Sequence, residues 1–233
     1  MTQSTLPPIV EFKNVVKGFW VDGRWRAVIC GLTLALPRQR ALGLLGGNGA
    51  GKTTLLDLVA GTLRPDSGQI CRAGRVSFPV GFAAGFHRDL TGAQNIRFLA
   101  RVYGVDSDAL VGFVEDFAEL GVQFHAPLRT YSSGMRARLG FGASMGLPFD
   151  LYLIDEATAV GDAQFRQKSR TLFRARMRAA SGILVSHNLG DLRRFCDAGL
   201  VLHEGRLWYF DQIEDAIRAH EDLMRHVTAT AGG

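Results

Sequence analysis

The stretch Ile9-Val10-Glu11-Phe12 alternates in polarity, and Ala27–Leu36 forms a second extended run after the turn residues Asp22-Gly23. Alternation places every other side chain on one face, as a half-buried strand requires. Three later runs, Ala41–Leu45, Leu151–Ile154 and Ile183–Val185, are apolar without alternation. Short runs of this kind fit strands covered on both faces, as in a parallel sheet. Elsewhere the period becomes helical. Thr53–Ala60 is closed by Gly61, and Thr91-Gly92-Ala93-Gln94 has the form of a capping box ahead of Ile96 and Leu99. Leu110, Phe113, Val114 and Phe117 keep i, i+3, i+4 spacing behind Ser107, the expected cap. Further helices are expected from near Ser132 to before Pro148, over Ala163–Ala179 and over Gln212–Val227. Val201–Phe210 reads as a hairpin turning at Glu204-Gly205, and another is expected around Ala73-Gly74.

Buried strands alternating with helices imply an α/β chain with a mostly parallel core sheet. The N-terminal strands are expected to be antiparallel, and the helical middle, about 88–148, reads as an inserted subdomain of one domain spanning 1–233. A chain of 233 residues can bury its core without disulfides or metal. Three widely spaced cysteines without C-x-x-C spacing disfavour a disulfide framework or zinc site, so a reducing compartment is expected. The start lacks a charged segment followed by an apolar stretch, and no run of some 18 apolar residues occurs. A soluble, cytoplasmic chain without its own membrane span follows as an expectation. Net charge is +5, yet no run of five or six like charges forms a basic tail. The densest basic stretch, Arg166–Arg178, reads first as a solvated helix face. The 28 glycines exceed the usual share, and their excess must sit at particular loops.

One such loop carries chemistry. Gly46-Gly47-Asn48-Gly49-Ala50-Gly51-Lys52-Thr53, followed by Thr54, matches G-x-x-x-x-G-K-[ST] between a buried strand and an amphipathic helix. Glycines let backbone N–H groups converge on phosphate oxygens, and the helix N-terminus adds unpaired donors and its positive dipole end. Lys52 supplies a cation for the β/γ-phosphates, and the Thr53 hydroxyl can ligate Mg²⁺. Asp155-Glu156 directly follows a buried strand, where ligands of open α/β sheets sit. There Asp155 can hold magnesium and Glu156 can act as general base on the attacking water. His187 ends a third strand and is placed to touch the γ-phosphate.

These elements occur in the order and rough spacing of ATP-binding subunits of ABC transporters, which the chain resembles over nearly all of residues 9–210. Tyr131-Ser132-Ser133-Gly134-Met135 resembles the family's signature motif, commonly L-S-G-G-Q, with Ser133 in place of a glycine and Met135 in place of a glutamine. The resemblance implies an ABC ATPase fold, ATP and Mg²⁺ as ligands, and a homodimer in which Ser132, Ser133, Gly134 and Met135 act in trans on the other subunit's nucleotide. It also implies a dimer loop at Ala159-Val160-Gly161-Asp162, with Asp162 as its acidic residue. Phe19 falls where an aromatic stacks on adenine, with Trp20 and Trp25 as rivals. Around Phe82–Phe86, where the family carries a metal-linked glutamine, none is found, and no residue is assigned.

The stretches Tyr131–Leu139, Leu153–Asp162 and Gly85–Gly92 resemble the polysaccharide-export branch, which moves capsule, O-antigen or teichoic acid chains. This implies a separate transmembrane permease, contacted through Phe82–Arg101 and the arginine-rich helix, and a place on the cytoplasmic face of the bacterial inner membrane. A chain stopping at Gly233 favours the capsule type over members with an added sugar-binding domain. Another cargo, drug or lipid, is the alternative reading. A soluble DNA-repair ATPase would need a long coiled coil between Lys52 and Ser132, so no nucleic-acid partner is expected.

Overall fold

A computed structural model of the chain describes residues 7–79, 85–155 and 162–231. Glu156 and Ala157–Gly161, with Phe82–Ala84 of the expected permease contact, lie outside the described residues. The chain divides into two compact units, one of residues 1–76, 150–156 and 177–233, the other of 77–149 and 157–176.

In the first unit, β1 (Val10–Val21) and β2 (Arg24–Leu36) form the long hairpin anticipated at Asp22-Gly23. The buried strand β3 (Ala41–Leu45) leads into α1 (Lys52–Ala60), and β4 (Ser67–Arg72) returns to pair with β1. These antiparallel strands lie in the order β2-β1-β4. A second sheet combines β3 with β5 (Val76–Pro79), β6 (Leu151–Asp155), β7 (Ser181–Val185), β8 (Ala198–His203) and β9 (Arg206–Phe210) in the order β5-β6-β7-β3-β8-β9. Strands β6, β7, β3 and β8 run parallel, and β8 and β9 form the anticipated antiparallel hairpin.

Every residue of β3 and β7 is buried, which explains why their sequences show no alternation. Leu42 and Leu44 join a core with Leu55, Leu56, Leu58 and Val59 of α1 and with Ile9, Val10 and Phe12 of the antiparallel sheet. Gly43 points to the opposite face, where two more helices pack, α6 (Leu189–Phe195) and α7 (Ile213–Ala231). It pairs across the sheet with Gly199 of β8. A Cβ on Gly43 would lie 2.7 Å from Ile213 Cδ1, and one on Gly199 would strike the Cβ of Ala216. The paired glycines form a notch that lets the first turns of α7 lie close on the sheet.

Two local expectations need correction. Residues 67–79 form no hairpin at Ala73-Gly74, because β4 and β5 belong to different sheets. The Asp150 carboxylate accepts the Arg75 N–H at 2.7 Å and fixes this crossing. Asp106, rather than Ser107, caps the second helix of the other unit, accepting the Ala109 N–H at 2.8 Å. A charged oxygen one residue earlier serves as the better acceptor.

The second unit holds α2 (Gly92–Tyr103), α3 (Ser107–Ala118), short 3₁₀ turns at 121–125 and 128–130, α4 (Ser133–Gly146) and most of α5 (Ala163–Ala179). The capping box at Thr91 forms in full: Thr91 Oγ1 accepts the Gln94 N–H and Gln94 Oε1 accepts the Thr91 N–H. Buried Asn95 ties down the loop before it, accepting from His87 N and donating to the carbonyls of His87, Leu90 and Thr91. Phe117 of α3 packs on Phe141 of α4 and Phe165 of α5, with ring centroids 5.7 and 5.2 Å away.

Candidate nucleotide-binding site

The loop 46–51 leaves the carboxyl end of β3 and enters α1. Gly51 holds the N-cap position at φ +100°, left-handed backbone that an L side chain rarely adopts, and a Cβ there would collide with Val28 Cγ1 of β2. No side chain caps α1 and no acid sits in its first turn. Its leading N–H groups therefore face the loop without a protein carboxylate competing for them. Lys52 Nζ donates to the carbonyls of Gly46 at 2.7 Å and Gly47 at 3.0 Å, folding the ammonium back over the loop. The Ala50 N–H closes a turn onto Gly47 O at 3.1 Å. Gly47, Asn48, Gly49 and Ala50 line a cavity with Arg26, Ala27, Val28, His203, Glu204, Gly205 and Met224. Thr53 and Thr54 follow in the first turn of α1.

The order β6-β7-β3 sets three strand ends side by side. Asp155 is the last residue of β6, paired in register with Val185 of β7, and Val185 pairs with Leu44 of β3. With strands roughly 4.8 Å apart, Asp155 lies about two strand spacings from the chain entering the phosphate loop. His187 follows β7, exposed, between Ser186 and Asn188. The Asn188 side chain caps α6 through the Gly190 N–H at 2.8 Å, and its own N–H donates to Ser186 Oγ at 3.1 Å. His187 is held in a short bend with both neighbours fixed.

In the second unit, Ser132 is the N-cap of α4 and its Oγ accepts the Met135 N–H at 3.2 Å. Its hydroxyl proton remains to donate outward. Ser132, Ser133 and Gly134 are exposed, and a Cβ on Gly134 would meet no atom nearer than 3.9 Å. Asp162 precedes α5, where Oδ1 accepts the Phe165 N–H at 2.9 Å and Oδ2 pairs with Arg138 Nη2 at 2.8 Å. The Phe165 N–H, and after it the Arg138 charge, hold the Asp162 carboxyl below its ordinary range against the opposing effect of desolvation. The Arg138 guanidinium also lies 4.5 Å over the Phe165 ring.

Phe19 lies opposite Arg26 in the β1–β2 hairpin, with Lys17 Nζ 5.3 Å from its ring, and is not among the residues lining the phosphate-loop cavity. Trp20, 73% exposed, packs edge-on against Trp25. The cavity residues that sequence reasoning missed, Arg26–Val28, His203–Gly205 and Met224, come from β2, the β8–β9 turn and α7. The helix over Gln212–Val227 was expected, but nothing in the sequence says which surface its far end covers.

A parallel sheet whose carboxyl edge carries a glycine-built loop, an inward-folded lysine and an uncapped helix start defines a phosphate-loop nucleotide-binding protein. The sequence profile of the ABC transporter family matches residues 29–159, and the chain belongs to this family. It is 41% identical over 221 residues to the polysialic acid transport ATP-binding protein KpsT of Escherichia coli, spanning 92% of this chain and 99% of the relative. It is 37% identical over 215 residues to the capsule polysaccharide export ATP-binding protein CtrD of Neisseria meningitidis, spanning 92% and 100%. The O-antigen export system ATP-binding protein RfbB of Klebsiella pneumoniae matches at 31% over 245 residues, spanning 94% and 100%. Among solved structures, an ATP binding subunit of an ABC transporter superposes with a TM-score of 0.76 at 22% identity, over 91% of this chain and 92% of that one. The dimeric post-hydrolysis state of the ATP-binding cassette MJ0796, bound to ADP and Pi, superposes with a TM-score of 0.73 at 17% identity, over 88% and 98%. These two likenesses establish the ABC ATPase fold.

Proposed function

We propose that this chain is the ATP-binding and ATP-hydrolysing subunit that powers export of a cell-surface polysaccharide through a separate membrane-spanning partner. The observation that carries the reading is the phosphate loop at the end of β3, set in a chain that aligns over 92% of its length with capsule-export ATPases. No helix among the described residues is long and apolar enough to cross a membrane, and on this reading the pore is assigned to another protein. On α2, Phe98 and Val102 are 56% and 60% exposed one helical turn apart, with Leu90 exposed before the helix. An apolar face of this kind suits a docking partner, and the proposed place of that partner, and with it of this chain, is the cytoplasmic face of the inner membrane.

Among the described residues no cluster of three His, Cys, Asp or Glu side chains could hold a metal. The donors at the site are hard oxygens, the Thr53 hydroxyl and the Asp155 carboxylate, which suit Mg²⁺ arriving with its nucleotide. Bound there, Mg²⁺ would neutralise phosphate charge. Lys52 exchanges its bonds to Gly46 and Gly47 for phosphate oxygens, the α1 N–H groups bind the same oxygens, and His187 contacts the terminal phosphate. Glu156, next after Asp155, accepts the proton of the attacking water. Ser132, Ser133 and Gly134 donate to the nucleotide of a second copy, with Met135 beside them in the same motif, Asp162 meets that copy, and Phe19 or its tryptophan neighbours stack on adenine.

The test is to purify the chain with its membrane partner. Glu156→Gln should bind ATP and lose hydrolysis at least a hundredfold; a wild-type rate removes the general-base assignment. Cells lacking the chain should accumulate glycan inside. Accumulation of a lipid or drug without glycan would move the cargo to the alternative.

A further inference from the structure

The face of α7 that packs on the sheet continues past the sheet's edge. Ile213, Ala216 and Ile217 are buried over the glycine notch. His220 and Met224 extend the same row at i+7 and i+11. Met224 reaches the phosphate loop, its Sδ and Cε 3.6 and 3.8 Å from where a Cβ on Gly47 would lie. It thereby lines the phosphate-loop cavity and a second one of about 440 Å³, bounded also by His187, Leu189, His220, Glu221 and Arg225.

His220 is half-buried, and its Nδ1 is shielded from solvent with no hydrogen-bond partner among the described residues. Burial, and after it the charge of Lys52, lowers the imidazole pKa below its ordinary value. The charged and titratable groups gathered here are Lys52, His187, His203 and Arg225, with the carboxylates of Glu221, of Asp222 paired to Arg225 at 2.7 Å and of Glu204 3.9 Å from His203 Nε2. Such a set fits an anion with several acceptor oxygens.

We propose that α7 completes a phosphate subsite, in which His220 donates a hydrogen bond to the terminal phosphate alongside Lys52 and His187. This rests on reading the loop 46–53 as an ATP site. The same chemistry arises from the γ-phosphate of ATP and from inorganic phosphate remaining beside ADP, and the test separates the two sources.

Calorimetric titration of the purified chain with Mg²⁺ would compare a non-hydrolysable ATP analogue, ADP, and inorganic phosphate added to the ADP complex. His220→Phe, which fills the space without a donor, should weaken the ATP analogue about tenfold or more and leave ADP within about twofold. His220→Gln, which keeps a donor, should recover part of the loss. Phosphate binding to the wild-type ADP complex that disappears in His220→Phe would show that the subsite also holds the released product. Equal losses for ATP analogue and ADP, or none for either, would overturn the subsite. If the phenylalanine variant melts early, the ATP-to-ADP ratio of His220→Gln decides, and an unchanged ratio counts against the proposal. Lys52→Ala reports on the underlying reading: it should lose both nucleotides, and wild-type affinity there would remove the nucleotide site itself.

Discussion

Among the described residues, the starts of α1 and α4 are both candidate anion sites, and they are built in opposite ways. At α1 the cap is a left-handed glycine with no side chain, enclosed by Val28, and the first-turn N–H groups are left for a ligand. At α4 the cap is Ser132, whose oxygen already satisfies Met135, and Gly134 stands in open space. The first is a finished cradle that tolerates no added atom. The second is a self-capped helix with an exposed edge, in keeping with the proposed contact to the nucleotide of a second copy. Backbone shape makes the one, and a presented hydroxyl makes the other.

The sharpest way to break this contrast is one methyl group at each glycine. Gly51→Ala should strain the left-handed cap and displace Val28, lowering stability by about 2 kcal/mol and removing nucleotide binding in a melting and titration experiment. Gly134→Ala should leave both melting and nucleotide affinity of the single chain near wild type. Equal damage at the two positions would erase the distinction.

Ser132→Ala comes next in size. Loss of the cap should cost about 1 kcal/mol in thermal unfolding while ATP affinity of the isolated chain holds. Hydrolysis by the assembled transporter should fall far more than stability does. Mixing Ser132→Ala subunits with Lys52→Ala subunits then asks whether the hydroxyl works across a dimer. Two chains that complement at one of the two sites recover part of the activity, whereas a serine serving its own chain recovers none.

The smallest effect concerns Asp162. Its folded pKa is lowered, so its contribution is present above the unfolded carboxylate value of about 3.9 and fades as pH falls through the folded value. The Tm difference between wild type and Asp162→Asn should be constant above about pH 5 and shrink below about pH 4. A difference that grows on acidification would contradict the hydrogen bond from Phe165 and the Arg138 pair.

Features carried by contiguous residues were legible in the sequence. The phosphate loop needs its strand, glycines and helix within some twenty positions, and the capping box at Thr91 needs four. Pairing across long separations was not. The turn chemistry at Ala73-Gly74 marks a reversal without stating which sheet each flank joins, and the tertiary bonds between Arg75 and residues 150–151 settle it. Asp106 and Ser107 are both good caps, and helix geometry chose between them. The approach of Met224 to Gly47 joins positions far apart in the chain, so the expected helix came without its destination. Phe19 shows the same limit, since its place in the hairpin follows from register with Arg26 rather than from its own identity.

The glycine notch under α7 has a consequence for how length is controlled. Most buried positions in β3 and β8 can exchange Leu, Ile and Val at modest cost, but a carbon at 199 would strike the Ala216 Cβ and one at 43 would have to push aside the end of Ile213. They set the zero of a ruler. From Ile213 at the notch, a rise of 1.5 Å per residue carries Met224 about 16 Å to the phosphate loop. Deleting one residue between Ile217 and His220 would turn everything beyond it by about 100° and draw it back by about 1.5 Å. The helix would still fold on the notch, but it would present a different edge to the nucleotide.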